Sequence, residues 1–314
     1  MGGQIVGLEN LSPPEAGSAI TIGTFDGVHL GHRALIAKTI GTAQSNGLSS
    51  AIITWDRHPN ETIRPDRVPP LITTPARKVE LLTERRSDVL VTLAFDKELS
   101  QWPPERFAEE VLAKGLNAKA VIVGEGWRFG RKAKGDADLL AELGARLGFT
   151  VETFLLEAAD GQVVSSSRVR SAIADGDMEL AHQLLARPFD MDGEVIHGDD
   201  RGRSLGFPTA NLSLDPALVG PARGVYAGRA RVGGSWLAAA VNVGVNPTFG
   251  GDPATTSLRV EAFLLDFEGD LYGQTIRIEF HERLRDEQRF DSVEALVDQM
   301  RADVEATRGL IAGP

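Results

Sequence analysis

The architecture of the first half of this chain follows from one segment, Ile22-Gly23-Thr24-Phe25-Asp26-Gly27-Val28-His29-Leu30-Gly31-His32. The short run Ala19 to Ile22 leads into it, and an amphipathic stretch with Leu35, Ile36 and Ile40 follows it. The pattern predicts a buried strand, a glycine turn and the first turn of a helix. Because a helix N-terminus presents amide hydrogens and the positive end of a dipole, this segment is suited to phosphate groups.

The two histidines of this segment add hydrogen-bond donors beside the turn. His29 and His32 are three residues apart at a helix start, so both imidazoles can face the same phosphates. Their cationic forms would offset the charge that develops on a leaving pyrophosphate. The residue types alone leave two alternatives open: one histidine caps the helix while the other is solvated, or the pair binds zinc.

Strand and helix patterns alternate from this segment to Leu156. Four more apolar runs predict buried strands, at Ala51 to Trp55, Val89 to Leu93, Ala120 to Val123 and Val151 to Leu156. Helical patterns lie between them, one beginning at Pro75 after Thr74 and another ending before Gly148. The series predicts a Rossmann-like domain with a doubly wound parallel sheet.

The pattern changes near Pro188. Two short helices precede that point, Arg168 to Ala174 and Met178 to Leu185, and strands with turn signals follow it, including a Gly233-Gly234 hairpin. A last amphipathic helix is predicted over Val293 to Thr307, beginning at Asp291 or Ser292. We therefore predict domains at 1–187 and 188–314, the second being an antiparallel β-barrel with a C-terminal helix.

Composition limits the classes of function. The chain has 314 residues, enough for two domains, and a net charge of −11, which disfavours nonspecific binding to nucleic acid or anionic membranes. It has no cysteine, and we expect a cytoplasmic protein with no nucleic-acid or membrane partner. No P-loop motif occurs and no lysine follows Pro188, so phosphoryl transfer there requires metal, backbone amides and arginine.

A second glycine-rich segment, His197 to Asn211, can wrap around phosphate groups. It contains Gly198, Arg201, Gly206 and Pro208, and it ends in Thr209-Ala210-Asn211. A threonine hydroxyl and an asparagine carbonyl are oxygen ligands that suit Mg²⁺, so Thr209 and Asn211 are candidate metal ligands. The alternative is an extended surface loop in which these residues make turns.

Both glycine-rich segments resemble one family. The first resembles the H-x-G-H signature of nucleotidylyltransferases, in the form found in bacterial bifunctional riboflavin kinase/FAD synthetases, and Val164 to Arg170 resembles the family's I-S-S-T-x-[IV]-R segment. The resemblance implies that His29 and His32 are catalytic. It implies that the nucleotide is bound by Gly23, Thr24, Phe25, Gly31, Ser166, Ser167 and Arg170. Two positions depart from the family pattern, Arg57 and Gly126.

The second half resembles the riboflavin kinases of the same family. His197 to Asn211 is similar to their H-G-x-x-x-G-R-x-[LI]-G-[FY]-P-T-A-N-L signature, which implies nucleotide contacts from Gly198, Arg201, Gly206 and Pro208. Glu261 matches the catalytic base, although periodicity alone would make it an outward, solvated residue. Arg285 and Glu287 match residues that line the flavin pocket, the alternative being a salt-bridged lead-in to the last helix.

The resemblance covers roughly Ile20 to Gln299 and implies two activities. The C-terminal barrel would phosphorylate riboflavin to FMN, and the N-terminal domain would convert FMN to FAD, with ATP as co-substrate, Mg²⁺ as cofactor, and ADP and pyrophosphate as products. Two alternatives stay open: a riboflavin kinase with an inactive or altered first domain, motivated by Arg57 and Gly126, and a noncatalytic flavin-binding regulator. The sequence leaves the oligomeric state open.

Overall fold

The computed structural model describes residues 3–154, 161–198, 202, 205–245 and 258–311. Its packing divides the chain into two compact units: Met1–Pro69 with Thr74–Ser165, and Pro70–Thr73 with Ser166–Pro314. We call them the first and the second unit. The domain boundary expected after residue 187 rests on sequence pattern, not on packing, and it remains a prediction.

The first unit is built on a six-stranded parallel sheet with the order β1-β4-β3-β2-β5-β6. The strands are β1 (Gly3–Val6), β2 (Ser18–Ile22), β3 (Ser49–Trp55), β4 (Val89–Leu93), β5 (Ala118–Gly124) and β6 (Thr150–Phe154). The predicted Rossmann-like fold is confirmed. Strand β1 was not predicted, because four residues at a mostly exposed edge carry too little periodicity.

Five helices accompany this sheet in the described residues: α1 (Leu30–Asn46), α2 (Pro59–Ile63), α3 (Pro75–Thr83), α4 (Pro104–Phe107, continued as a π-helix over Ala108–Gly115) and α5 (Ala137–Leu147). Their ends match the sequence signals. Thr74 caps α3, since its hydroxyl accepts a hydrogen bond from Arg77 N at 3.2 Å, and Gly148 ends α5 in the left-handed conformation.

The strand order reverses at β2: the strands that follow β2 in the chain are added first on one side of it and then on the other. Chain connections run from β2 to β3 on one side, whereas β5 pairs with the other side of β2. Helices then diverge at the carboxyl ends of β2 and β5, and such crevices bind ligands in open α/β sheets. The Gly23–His32 segment begins at this edge.

The second unit contains a closed, six-stranded antiparallel barrel with the order β10-β11-β8-β7-β12-β9. Its elements are α6 (Ser166–Asp175), α7 (Met178–Leu185), β7 (Phe189–Ile196), β8 (Ala210–Leu214), β9 (Gly224–Val232), β10 (Ser235–Val245), β11 (Leu258–Leu264), β12 (Thr275–Arg285) and α8 (Val293–Ile311). The predicted barrel and C-terminal helix are confirmed. Strand β8 was missed, because its residues were interpreted only as the end of a phosphate loop.

Alternation along the strands separates a core face from an outer face. In β11, Val260, Ala262 and Leu264 are buried in the barrel, and Arg259 and Glu261 point outward. Helix α8 packs on the outside of the barrel against β9 and β10. Ser292 caps this helix, with its hydroxyl accepting a hydrogen bond from Ala295 N at 3.1 Å, and it is one of the two residues at which the helix was predicted to begin.

We predict that Thr74→Ala destabilises the first unit by about 1 kcal/mol, because the cap of α3 loses its acceptor. Thr74→Ser, which keeps the hydroxyl, is the matched control and stays near wild type. Tryptophan fluorescence during urea unfolding measures both, since Trp55, Trp102 and Trp127 lie in the first unit. Equal stability of the alanine variant and wild type would contradict the capping role.

Candidate active sites

A tight left-handed turn connects β2 to α1. Gly23 N donates to Ile53 O at 3.1 Å, which ties the start of the turn to β3. Phe25, Gly27 and Val28 then have φ of 52°, 79° and 42°. A positive φ at a β-branched valine is unfavourable, and such conformations are concentrated at functional sites. The turn places His29 at the N-cap of α1.

The two histidines lie ring on ring. Their centroids are 3.5 Å apart with an interplanar angle of 16°, and His29 Nδ1 accepts a hydrogen bond from His32 N at 3.3 Å. His29 therefore caps α1, as the first alternative predicted, but the second histidine of that alternative is not solvated, because His32 Nδ1 is buried. Because Nδ1 of His29 is an acceptor, a neutral His29 ring carries its proton on Nε2. The zinc alternative finds no support, since no group of three or more His, Asp or Glu among the described residues could hold a metal ion.

The structure changes the expected charge of this pair. Burial, then the neighbouring His29 and Lys78, hold the pKa of the His32 imidazole well below its ordinary value. His32 is therefore neutral at pH 7, and the expectation of two cationic imidazoles does not hold for it. Its Nδ1 is buried and has no hydrogen-bond partner among the described residues.

The other predicted residues of this segment shape the turn. Phe25 is buried and its ring meets His32 edge-on at 5.1 Å, and Thr24 O accepts from Thr54 Oγ1 at 3.3 Å. A β-carbon on Gly23 would lie 3.0 Å from the Phe25 ring, and one on Gly31 would lie 3.3 Å from Val164 O. Both glycines therefore permit close packing around the start of α1.

Three predicted nucleotide ligands belong by packing to the second unit. Ser166 and Ser167 begin α6. Arg170, one turn later, donates from Nε to Pro70 O at 2.6 Å. Their contacts with ATP phosphates remain a prediction.

The two departures from the family pattern have local explanations. Gly126 has φ of +74° in the turn after β5, where Trp127 N donates to Gly124 O at 3.1 Å, and a side chain there would be strained. Arg57 binds Asp56 through two nitrogens, at 3.0 and 2.7 Å. Burial alone would raise the pKa of Asp56, but hydrogen bonds from Arg57 and from Phe95 N lower it.

Three neighbouring strands of the barrel align three polar residues. Glu261 on β11 pairs in register with Asn211 on β8 and with Asn242 on β10. Asn242 Nδ2 donates to Glu261 Oε2 at 3.4 Å, and Arg259 approaches Glu261 Oε1 to 3.9 Å. These side chains line a cavity of about 500 Å³. Glu261 faces outward, as its periodicity predicted, into a cavity that residues of α8 also line.

Both predicted metal ligands face this cavity. Thr209 and Asn211 are two residues apart on one side of an extended segment, and both line the cavity with Glu261. A β-carbon on Gly198 would overlap the Asn211 amide, so the glycine permits that packing. Thr209 also lines a second cavity of about 310 Å³, together with Pro208 and Tyr272. Gly206 adopts φ of +86°, and Arg201 lies outside the described residues.

Arg285 and Glu287 lie at the same cavity. The Arg285 guanidinium donates two hydrogen bonds to the Asp303 carboxylate of α8, from Nε to Oδ1 at 2.9 Å and from Nη2 to Oδ2 at 2.8 Å. The two side chains are only 16% and 8% exposed. Glu287 is exposed at the cavity wall, close to the Gly244 backbone. Arg285 therefore does both things that the sequence analysis held as alternatives: it forms a salt bridge to the last helix, and it lines the cavity.

Sequence reasoning missed three residues of these sites. Asn242 received no role, because its register with Glu261 on the neighbouring strand is visible only in the structure. Asp303 was hidden in the pattern of an amphipathic helix. Lys78 of α3 is 5% exposed and donates to Trp55 O at 2.7 Å, and a lone lysine in a helix gives no sequence signal.

Comparison with known proteins decides the family. A FAD synthetase model matches residues 12–168, and a riboflavin kinase model matches residues 185–311. The bifunctional riboflavin kinase/FMN adenylyltransferase of Pseudomonas fluorescens is 39% identical over 98% of this chain and 97% of its own. This chain belongs to the bifunctional riboflavin kinase/FMN adenylyltransferase family. The suspected relationship is thus confirmed.

Other members of the family agree over nearly the whole chain. The protein with the same name from Escherichia coli strain K12 is 36% identical over 95% of both chains. A solved structure from Streptococcus pneumoniae, titled as a macrolide-efflux protein, superposes with a TM-score of 0.85 at 32% identity, covering 97% of this chain and 98% of that one. In the described residues, no helix has both the length and the apolarity needed to cross a bilayer.

We predict that Asp303→Asn destabilises the second unit by about 2–4 kcal/mol, because it leaves the Arg285 guanidinium without its counter-charge in a largely buried place. Asp298→Asn is the matched control on the same helix, since the Asp298–Arg301 pair is exposed and should contribute well under 1 kcal/mol. Scanning calorimetry compares the two. Equal effects of both substitutions would show that the Arg285–Asp303 pair does not hold α8 in place.

Proposed function

We infer that this chain carries out two successive transfers in flavin cofactor synthesis: riboflavin and ATP give FMN and ADP, and FMN and ATP then give FAD and pyrophosphate. The observation that carries the inference is the aligned row of Asn211, Glu261 and Asn242 on the wall of a 500 Å³ cavity. Family membership over both halves of the chain supports the assignment of both activities. The main prediction from sequence is thereby confirmed over the two alternatives.

In the second unit, Glu261 is proposed as the general base. The cavity combines an apolar wall with the polar row, and a flavin fits this division with its ring on the apolar wall and its ribityl chain on the polar one. The apolar wall includes Phe290, Leu296, Met300 and Val304. Glu261 would accept the proton of the primary hydroxyl as that oxygen bonds to the γ-phosphorus and the bond to the leaving ADP oxygen breaks. Asn242, which donates to Glu261 Oε2, orients the carboxylate.

Thr209 and Asn211 are proposed to hold Mg²⁺. A hydroxyl and an amide oxygen on one face of an extended strand match the hard oxygen donors that Mg²⁺ takes, with phosphate oxygens and waters completing the shell. When bound, the ion would neutralise charge on the phosphates. Because Thr209 lines both cavities, we propose that the nucleotide binds in the second one while the flavin binds in the first.

In the first unit, the turn at Gly23–His32 is proposed to bind the triphosphate of the second ATP. A phosphate oxygen of FMN would bond to the α-phosphorus as the bond to pyrophosphate breaks. His29 and His32 would act as hydrogen-bond donors to the leaving group, and the N-terminus of α1 adds its amides. The contacts of Ser166, Ser167 and Arg170 with the nucleotide remain a prediction from the sequence.

We predict opposite effects for two substitutions. Asn211→Ala should lower riboflavin phosphorylation about 100-fold or more while FMN adenylylation stays near wild type, because each transfer has its own site. His29→Ala should do the reverse. Chromatography of flavins from separate assays with riboflavin or FMN, each with ATP and Mg²⁺, measures both rates.

The controls are Asn46→Ala and His182→Ala, which remove exposed side chains of the same types. Both should retain both activities. Loss of both activities in Asn211→Ala or in His29→Ala, with folding intact, would contradict two independent sites.

A further inference from the structure

The first unit contains a buried lysine that forms no ion pair. Lys78 lies in α3, is 5% exposed, and donates from Nζ to Trp55 O at 2.7 Å. Across the described residues, no carboxylate lies within ion-pair distance of Nζ, and this is its sole hydrogen bond there. An ammonium carries three donors, so two are unused. Burying a charge without an ion-pair partner is unfavourable, and ionisable groups whose pKa is shifted by burial are concentrated at functional sites.

Four ionisable groups surround this ammonium. Asp26 follows β2, Asp56 follows β3, Glu61 lies on α2, and His32 lies on α1. Burial lowers the pKa of Lys78 to about 8, although the three carboxylates act in the opposite direction. At pH 7 the side chain is therefore still mainly protonated. A positive charge is thus held at the carboxyl end of β3, where Trp55 O accepts its hydrogen bond.

This charge lies on a helix next to the turn proposed to bind phosphate, where the His32 imidazole does not supply one. Helix α3 packs on the Asp26–Val28 turn, and the charge of Lys78 contributes to the lowered pKa of His32. His32 is neutral, with its Nδ1 buried and unpartnered within the described residues. Lys78 is thus placed to compensate the negative charge of the phosphates, a role that two cationic histidines were expected to have.

We propose that Lys78 is a further residue of the nucleotidyl-transfer site, where its buried ammonium compensates the charge of the nucleotide polyphosphate. This proposal rests on the adenylyl transfer assigned to the first unit. Lys78 acts through its field on the bound phosphates and on His32, which makes it a positioning residue. A buried cation in a medium of low polarity interacts more strongly with phosphate than an exposed one.

A bound polyanion must raise the pKa of Lys78, because it favours the ammonium. Binding of Mg·ATP at about pH 8.5 should therefore take up protons, since part of Lys78 is neutral there before binding. Calorimetric titration in two buffers with different ionisation enthalpies measures this uptake. The wild-type protein should show it, and Lys78→Met should not. Absence of proton uptake in wild type would overturn the proposal without any variant.

Substitutions separate a charge role from a packing role. Lys78→Met keeps the length of the side chain and removes the charge, so the KM for ATP in FMN adenylylation should rise about tenfold or more, whereas riboflavin phosphorylation stays unchanged. Lys78→Arg keeps the charge and should retain most activity. Lys38→Met, which removes an exposed lysine that pairs with Glu152, is the matched control and should match wild type.

The stability of Lys78→Met distinguishes the two roles further. In wild type the folded pKa lies below the unfolded value, so stability increases with pH from about 8 to 10.5 as the unfolded chain releases its extra proton. Removing the buried charge should therefore leave the melting temperature at pH 7 unchanged or higher, and should flatten this pH dependence.

The outcomes separate this proposal from the proposed function. If wild type converts FMN and ATP to FAD and Lys78→Met does so with the same KM for ATP, Lys78 has no such role and the function stands. If Lys78→Met melts lower and loses both activities together, the lysine is structural. If wild type makes no FAD, the assigned adenylyl transfer itself fails.

Discussion

The register of three neighbouring barrel strands is the constraint on which the second site depends. Side chains alternate along a strand, so slipping β11 by one residue would turn Glu261 into the core and bring Val260 or Ala262 to the cavity. The apolar residues buried inside the closed barrel fix that register, since any slip exposes them. The same packing energy that stabilises the barrel therefore positions Asn211, Glu261 and Asn242 together. The relative positions of these three side chains therefore follow from the strand register of the barrel.

The first site depends on placing positive charge next to phosphate, because the chain as a whole has a net charge of −11 and does not attract anions. The chain has no P-loop, and the pair of stacked imidazoles is neutral at His32. The N-terminus of α1 supplies amides and a partial charge. Lys78 adds a full charge from a neighbouring helix, close to the turn but outside the motif. Each half of the protein is thus proposed to bind phosphate by combining a short sequence motif with groups from other elements.

Local patterns predicted most of the fold and the motif residues of both sites. Alternation of apolar runs located five strands of the parallel sheet, and caps such as Thr74 and Gly148 located helix ends. What could not be predicted depends on distant pairing. The role of Asn242 depends on its register with Glu261, and the roles of Asp303 and Lys78 depend on which helices pack near each site. The charge of His32 depends on burial, which no motif encodes.

The central claim is that one chain performs two successive transfers at two sites. Purified protein mixed with riboflavin, ATP and Mg²⁺ and sampled over time by flavin chromatography tests this claim most directly. FMN should rise first and then fall as FAD accumulates, with one pyrophosphate released for each FAD. Accumulation of FMN with no FAD would contradict the role of the first unit. Unchanged riboflavin would contradict the role of the second.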